Sequence, residues 1–300
     1  MVKQYKVGGH AYRIYFDDNL NNDSLLQSSI PFETEVDDTQ NLIFELHVDD
    51  SFRPSEHGEE IGDFDSGGNH NWVFLRNDGS YEIRISDVRN RQCCLMDANH
   101  DFSYVRVALN GNKSMRTFGL GNALMMTYAF AAADKNTVLI HASVVRENGY
   151  AYPFLGVSGT GKSTHTSNWL KYISGTDLMN DDNPVIRIVD GIATLFGSPW
   201  SGKTPCYRNI QAPIGAITQL KQAPHNTIRK ETVVEAFASI LPSCSIMKWD
   251  KRIYSGICDT VKTIIETVPT YYLENLPNED AVKLSFNTIR VKESLSSNIL

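Results

Sequence analysis

The segment that most constrains this 300-residue chain is Gly156-Val-Ser-Gly-Thr-Gly-Lys162-Ser163. It fits the pattern G-x-x-x-x-G-K-[ST] at every fixed position. Chance alone gives roughly one match per hundred chains of this length, so the flanking residues decide its meaning. An apolar run, Tyr150-Ala-Tyr-Pro-Phe-Leu155, leads into the glycines, and a helical stretch over about 163–173 follows them. Strand, glycine-rich turn and helix in that succession belong to a layered α/β structure.

Each position has a chemical task. The glycines at 156, 159 and 161 let the backbone curl so that successive N–H groups face phosphate oxygens. The helix that follows adds the partial positive charge of its first turn. Lys162 reaches the outer phosphates as a point charge, and the Ser163 hydroxyl ligates Mg²⁺. The expected nucleotide cradle is therefore Gly156, Ser158, Gly159, Thr160, Gly161, Lys162, Ser163 and Thr164. A glycine-rich turn with an exposed lysine is the bland alternative, and the presence of both flanks weighs against it. No Asn-Lys-x-Asp segment of the guanine-reading kind occurs, so the expected nucleotide is ATP.

Downstream, Leu178-Met-Asn-Asp181-Asp182 is an apolar stretch that ends in two carboxylates. One carboxylate can hold Mg²⁺ directly or through water. The other can accept the proton of an attacking hydroxyl. A divalent ion between them lets both stay ionised. The competing reading is an Asx-turn, since Asp-Asp-Asn-Pro is good turn chemistry.

Residues 1–120 read as a β-rich N-terminal region, and residues 121–300 as a nucleotide-binding domain with a mixed sheet. Strands are expected at Tyr12-Arg-Ile-Tyr-Phe, Leu42-Ile-Phe-Glu-Leu-His-Val, Trp72-Val-Phe-Leu, Tyr81-Glu-Ile-Arg-Ile and Tyr104-Val-Arg-Val-Ala-Leu. Asn77-Asp78-Gly79, Asn148-Gly149 and Asp190-Gly191 each mark a hairpin. The polar, glycine-bearing stretch 51–71 reads as one long loop. A helix is expected over 119–133, one continuous strand over 138–145, and another strand over 214–220. Further helices are expected over 232–240, 246–267 and 278–286.

A formal net charge of −7 argues against a broad nucleic-acid-binding face. Five cysteines, an odd number with no C-x-x-C pair, indicate neither a disulfide framework nor a zinc site. The first residues lack the apolar core of a signal peptide, and the apolar stretch 120–133 is too short to cross a bilayer. A cytoplasmic protein without membrane contact is the expectation.

The words Gly156-Val-Ser-Gly-Thr-Gly-Lys-Ser-Thr164 and Asn180-Asp181-Asp182 resemble the C-terminal kinase domain of HPr kinase/phosphorylase. They are also similar to the kinase motifs of phosphoenolpyruvate carboxykinase. His141-Ala-Ser-Val-Val and Gly197-Ser-Pro-Trp200-Ser-Gly-Lys203 resemble elements of small HPr-kinase-related proteins. The resemblance spans about 138–287 and implies an α/β, phosphoenolpyruvate carboxykinase-like P-loop domain after the β-rich region. It implies Asp181 as the base and Asp182, with Ser163, on the metal side. HPr kinases form rings, so a homo-oligomer is compatible with the resemblance. Residues 1–130 do not resemble the N-terminal domain of HPr kinase, and the acceptor stays open.

The expected function is an ATP- and Mg²⁺-dependent kinase acting on a hydroxyl of a protein, peptide or small molecule. The alternative is a non-catalytic ATP-binding switch or regulatory protein. The catalytic candidates are Lys162, Asp181, His141 and Lys203. His141, expected on a strand, is either an orienting group near the phosphates or a core histidine satisfied by one hydrogen bond. Lys203 is the candidate for neutralising phosphoryl charge, whereas Arg208 reads as a solvated loop residue. Trp200 stacks on a base or simply packs. His165 is expected to be exposed on the first helical turn, and Cys93-Cys94 to be structural.

Overall fold

The computed structural model of the protein describes residues 1–16, 22–54, 58–65, 70–202 and 204–291. Its N-terminal region carries β1 (Val2–Val7), β2 (His10–Phe16), β3 (Glu33–Thr34), β4 (Leu42–Val48), β5 (Glu59–Asp65), β6 (His70–Leu75), β7 (Tyr81–Ser86), β8 (Gln92–Ala98) and β9 (Tyr104–Leu109). These form a nine-stranded sheet in the order β3-β1-β2-β4-β9-β8-β7-β6-β5. Short turns build the antiparallel pairs, as at Gly79 between β6 and β7, where φ is +83°. The β2–β4 and β4–β9 pairs are parallel and need long connections.

Helix α1 (Lys113–Ala131) covers one face of this sheet. It starts where the Asn112 side chain accepts from Met115 N–H at 3.1 Å. A Cβ at Gly119 would lie 2.8 Å from Cys93 O, so glycine lets the helix lie directly on β8. Leu120 and Gly121, the expected junction of two regions, lie inside this helix.

The rest of the chain gives β10 (Thr137–Leu139), β11 (Ala142–Glu147), β12 (Tyr150–Leu155), α2 (Lys162–Tyr172), β13 (Asp177–Asp182), β14 (Val185–Val189), β15 (Ile192–Phe196) and β16 (Gln211–Pro213). It continues with β17 (Ile217–Gln222), β18 (Thr227–Lys230), α3 (Val233–Ile240), α4 (Lys251–Thr267), β19 (Thr270–Asn275) and α5 (Glu279–Ile289). One sheet has the order β10-β14-β15-β16 and the other β13-β11-β12-β17-β19-β18. The second sheet is mixed: β12, β17 and β19 run parallel, and the other pairs are antiparallel. The protein is thus a mixed α/β structure with a β-rich N-terminal sheet.

Two apolar clusters hold it together. The larger runs from Tyr12 and Phe44 in the first sheet through Tyr128 of α1 to Trp200, Ile257 and Val261. The smaller lies between the six-stranded sheet and helices α2 and α5, around Tyr152, Phe154, Trp169, Leu220 and Val282.

Several expectations need correction. The run expected as one strand over 138–145 is two, because the chain leaves the four-stranded sheet after β10 and enters the six-stranded sheet at β11. His141 lies between them and is not on a strand. The stretch expected as a loop over 51–71 contains β5, an acidic edge strand whose ladder partner is β6. Residues 55–57 and 66–69 of that stretch lie outside the described residues. Helix α4 begins at Lys251, because Asp250 caps it by accepting from Ile253 N–H at 2.9 Å. The same carboxylate accepts from Tyr81 OH at 2.8 Å, so the cap is fixed from the N-terminal sheet. Among the described residues no helix is long and apolar enough to cross a membrane.

Candidate functional site

The glycine-rich loop joins the end of β12 to the start of α2. Gly156 has φ +148°, and a Cβ there would meet Thr160 Oγ1 at 2.5 Å. Gly161, the N-cap of α2, has φ +92° and accepts from His165 N–H at 2.8 Å. Both positions therefore need glycine, one for space and conformation, the other for conformation. Gln222, at the end of β17, donates its side-chain amide to Gly159 O at 3.2 Å and braces the loop from the neighbouring strand. Sequence reasoning did not mark Gln222, and a lone glutamine at a strand end carries no local signal.

Lys162 is buried and folds back on the loop. Its Nζ donates to Gly156 O at 2.8 Å and to Val157 O at 3.4 Å. Burial pushes its ammonium below the usual lysine range, and the charges of Asp182 and Asp181 oppose that shift. An ammonium with main-chain carbonyls as hydrogen-bond partners keeps its charge available for an anion.

The aspartates sit at the end of β13, which pairs with β11 so that Ser143 faces Asp181 and Ala142 faces Asp182. Successive strand side chains point to opposite faces. Asp181, 4% exposed, accepts from Ser163 Oγ at 2.9 Å. Asp182 turns the other way, its Oδ1 3.0 Å from His141 Nδ1. Asn183 Nδ2 donates to Asp182 Oδ2 at 2.9 Å. The carboxylate beside Ser163 is thus Asp181, whereas Asp182, expected on the same side as Ser163, faces His141. Side-chain alternation, which residue order alone does not orient, is the reason.

Asp182 has φ +138°, a region in which non-glycine residues are strained by about 1–3 kcal/mol. The segment after β15 holds it there. Ser201 forms an isolated antiparallel bridge to Asp182. Gly202 N–H and Ser201 Oγ donate to Asp181 O at 2.7 and 2.9 Å. Asn183 N–H donates to Trp200 O, and Ser198 Oγ donates to Asn183 O at 2.6 Å.

The remaining candidates divide. Lys203 lies outside the described residues. Arg208 is not a free solvated residue: it pairs with Asp177 at 2.8 Å, at the opposite end of β13, alongside Arg146. Trp200 is buried and packs on Tyr128 with ring centroids 5.1 Å apart. His165, expected to be exposed, is 1% exposed. Helix α2 rests on α5 through it, with Trp169 Nε1 donating to His165 Nε2 at 3.2 Å and Ser285 Oγ 3.2 Å from the same nitrogen. Burial holds this imidazole down at about 4. The period of α2 places 165, 166 and 169 on one inward face, which the helical spacing of the sequence signals. Cys93 and Cys94 are buried in β8.

Ser163 and Asp181 offer hard oxygen atoms side by side, the donor type Mg²⁺ takes. Among the described residues no three His, Cys, Asp or Glu side chains converge on a common point. The residues therefore fit an ion that keeps most of its shell as water and phosphate oxygen, and do not form an all-protein cage. Two surface cavities, about 600 and 330 Å³, lie elsewhere, at His10 and Lys135 and at Trp72 and Phe74.

The fold over half of this chain is similar to the structure of the Hpr(Ser) kinase/phosphatase from Coxiella burnetii. That match covers 50% of this chain and 94% of the other, at 13% sequence identity and a TM-score of 0.31. No family model and no curated protein matches the sequence.

Proposed function

We propose that this protein binds ATP with Mg²⁺ at the 156–164 loop and transfers the γ-phosphoryl group to a hydroxyl of a protein, peptide or small molecule. The observation that carries this reading is the convergence of the loop and the carboxylate strand, where Ser163 Oγ meets Asp181 at 2.9 Å. A glycine-rich turn alone has no reason to place its serine on a buried carboxylate. Its resemblance in motif wording to the HPr-kinase domain supports the same chemistry.

In this reading the loop N–H groups and Lys162 hold the phosphates, Lys162 Nζ exchanging Gly156 O for phosphate oxygen. Ser163 and Asp181 would hold Mg²⁺, which would supply positive charge against the outer phosphates. The acceptor oxygen forms a bond to the γ-phosphorus as the bond to ADP breaks. Its proton passes to Asp182, whose carboxylate His141 orients. Lys203 is proposed as a further cation at the transferring group.

Calorimetry of ATP with Mg²⁺ tests the binding half. Micromolar affinity is expected for the wild type and its loss in Lys162→Ala. Asp182→Asn is expected to keep binding and to abolish transfer, measured as ADP release with water or added acceptor. A wild type that binds no ATP sinks the proposal. Binding without turnover to any acceptor would leave a nucleotide-dependent switch.

A further inference from the structure

From the packing around Asp182 we infer that Gly202 is a positioning residue, kept free of a side chain so that the Asp182 carboxylate can stand at the site. The inference rests on the proposed reaction for its kinetic consequence, but its geometry stands independently. Gly202 has no positive φ among the residues that do, so conformation does not demand glycine there. Space does. A Cβ at Gly202 would lie 3.2 Å from both Cβ and Cγ of Asp182 and 3.4 Å from its Oδ2. Contacts that tight require one partner to give way by a few tenths of an ångström. The backbone of Gly202 cannot retreat freely, because its N–H donates to Asp181 O at 2.7 Å and Ser201 bridges Asp182. The carboxylate is the part able to move, away from His141 Nδ1 at 3.0 Å.

The strain at Asp182 completes the argument. At φ +138° glycine would fit without cost, yet the position carries a carboxylate. A side chain held in a glycine conformation by an over-determined surround, and given room by a glycine opposite, marks a position where placement matters more than stability. The Ser201-Gly202 turn serves as the clamp that sets the placement.

Three variants test this: Gly202→Ala, Asp182→Gly and Asp182→Ala. Gly202→Ala is expected to keep its melting temperature within a few degrees and its KM for ATP unchanged. Its kcat for Mg²⁺-ATP turnover should fall about tenfold, less than the roughly 100-fold that a full ångström of misplacement costs. Its crystal structure should show Asp182 Oδ1 withdrawn from His141. Asp182→Gly should melt higher than Asp182→Ala, the reverse of the usual order of glycine and alanine. A Gly202→Ala structure with the Asp182–His141 contact intact overturns the inference, as does an Asp182→Gly variant less stable than Asp182→Ala. If the wild type turns over no ATP, the kinase reading fails. The crystal structure and the melting order then still decide the clamp. If Gly202→Ala does not fold, the two Asp182 variants alone decide it.

Discussion

The nine-stranded sheet with its covering helix and the loop end of the six-stranded sheet treat their charged groups in opposite ways. In the nine-stranded sheet and the helix α1 that covers it, buried or half-buried arginines are matched to carboxylates. Arg76 pairs with Asp97 and Glu82, Arg84 with Glu82, and Arg116 with Asp50 at 2.6 Å. At the loop end of the six-stranded sheet the buried Lys162 donates to main-chain carbonyls, and Asp182 is strained. The first arrangement stabilises a scaffold. The second hydrogen-bonds the ammonium to carbonyls rather than to a carboxylate and stores backbone strain at Asp182, which is where a ligand finds interaction energy.

That contrast can be broken in order of effect on stability. The largest loss is expected for Phe44→Ala, buried in the N-terminal sheet and stacked 4.6 Å from Tyr12. It should cost about 3–5 kcal/mol. The Phe44 cluster extends to α4 in the second half of the chain, so Trp169, on α2 in the smaller cluster against the six-stranded sheet, should report by its fluorescence the same urea transition as circular dichroism. Two separate transitions would show the regions to be independent units.

Acidification comes next. His165 and His10 are each held down at about 4 in the folded protein, against 6.5 for the ordinary imidazole. Burial is the main cause in both, with Arg187 and Lys135 adding to it at His10. The unfolded chain thus takes up protons between about 6.5 and 4 that the folded chain refuses. Stability is full above the upper value and falls as pH drops through this window. The loss from pH 7 to 5 is about 2 kcal/mol for each histidine. Urea titrations of His165→Gln and His10→Gln should each flatten the dependence, and an unchanged slope in both would defeat the assignment.

Smaller still is Arg116→Ala, which removes contacts to Asp50, Leu109 O and Asn22. About 1–2 kcal/mol should be lost, with ATP affinity untouched in calorimetry. Asp181→Asn is the mirror case. Its stability should change by under about 1 kcal/mol, while the Mg²⁺-dependent part of ATP affinity falls at least tenfold. Should Arg116→Ala weaken nucleotide binding, the division between scaffold and site would be too sharp.

Local chemistry made much of this legible. The Asn-Gly and Asp-Gly hairpins appear as expected, with Asn148 and Gly149 at φ +46° and +79°. The strand and helix around the glycine-rich loop also stand where the apolar run and the helical period put them. Three differences between sequence and structure share one cause. The first-turn position of His165, the polar composition of β5 and the continuity of the 138–145 run are local signals. Each outcome was decided by a distant partner: α5, β6 and a change of sheet.

The sequence by itself determined the loop, its lysine and serine, and the presence of two carboxylates downstream, because these depend on residue type and short spacing. Only the tertiary structure decided which carboxylate meets Ser163. That depends on the register of β13 against β11 and on which face α2 covers. It also decided that Gly202 stands against Asp182, twenty positions along a chain that returns through β14 and β15. Spacing in sequence carries chemistry along one element, whereas a site assembled between elements is fixed by packing and by the direction each strand presents its side chains.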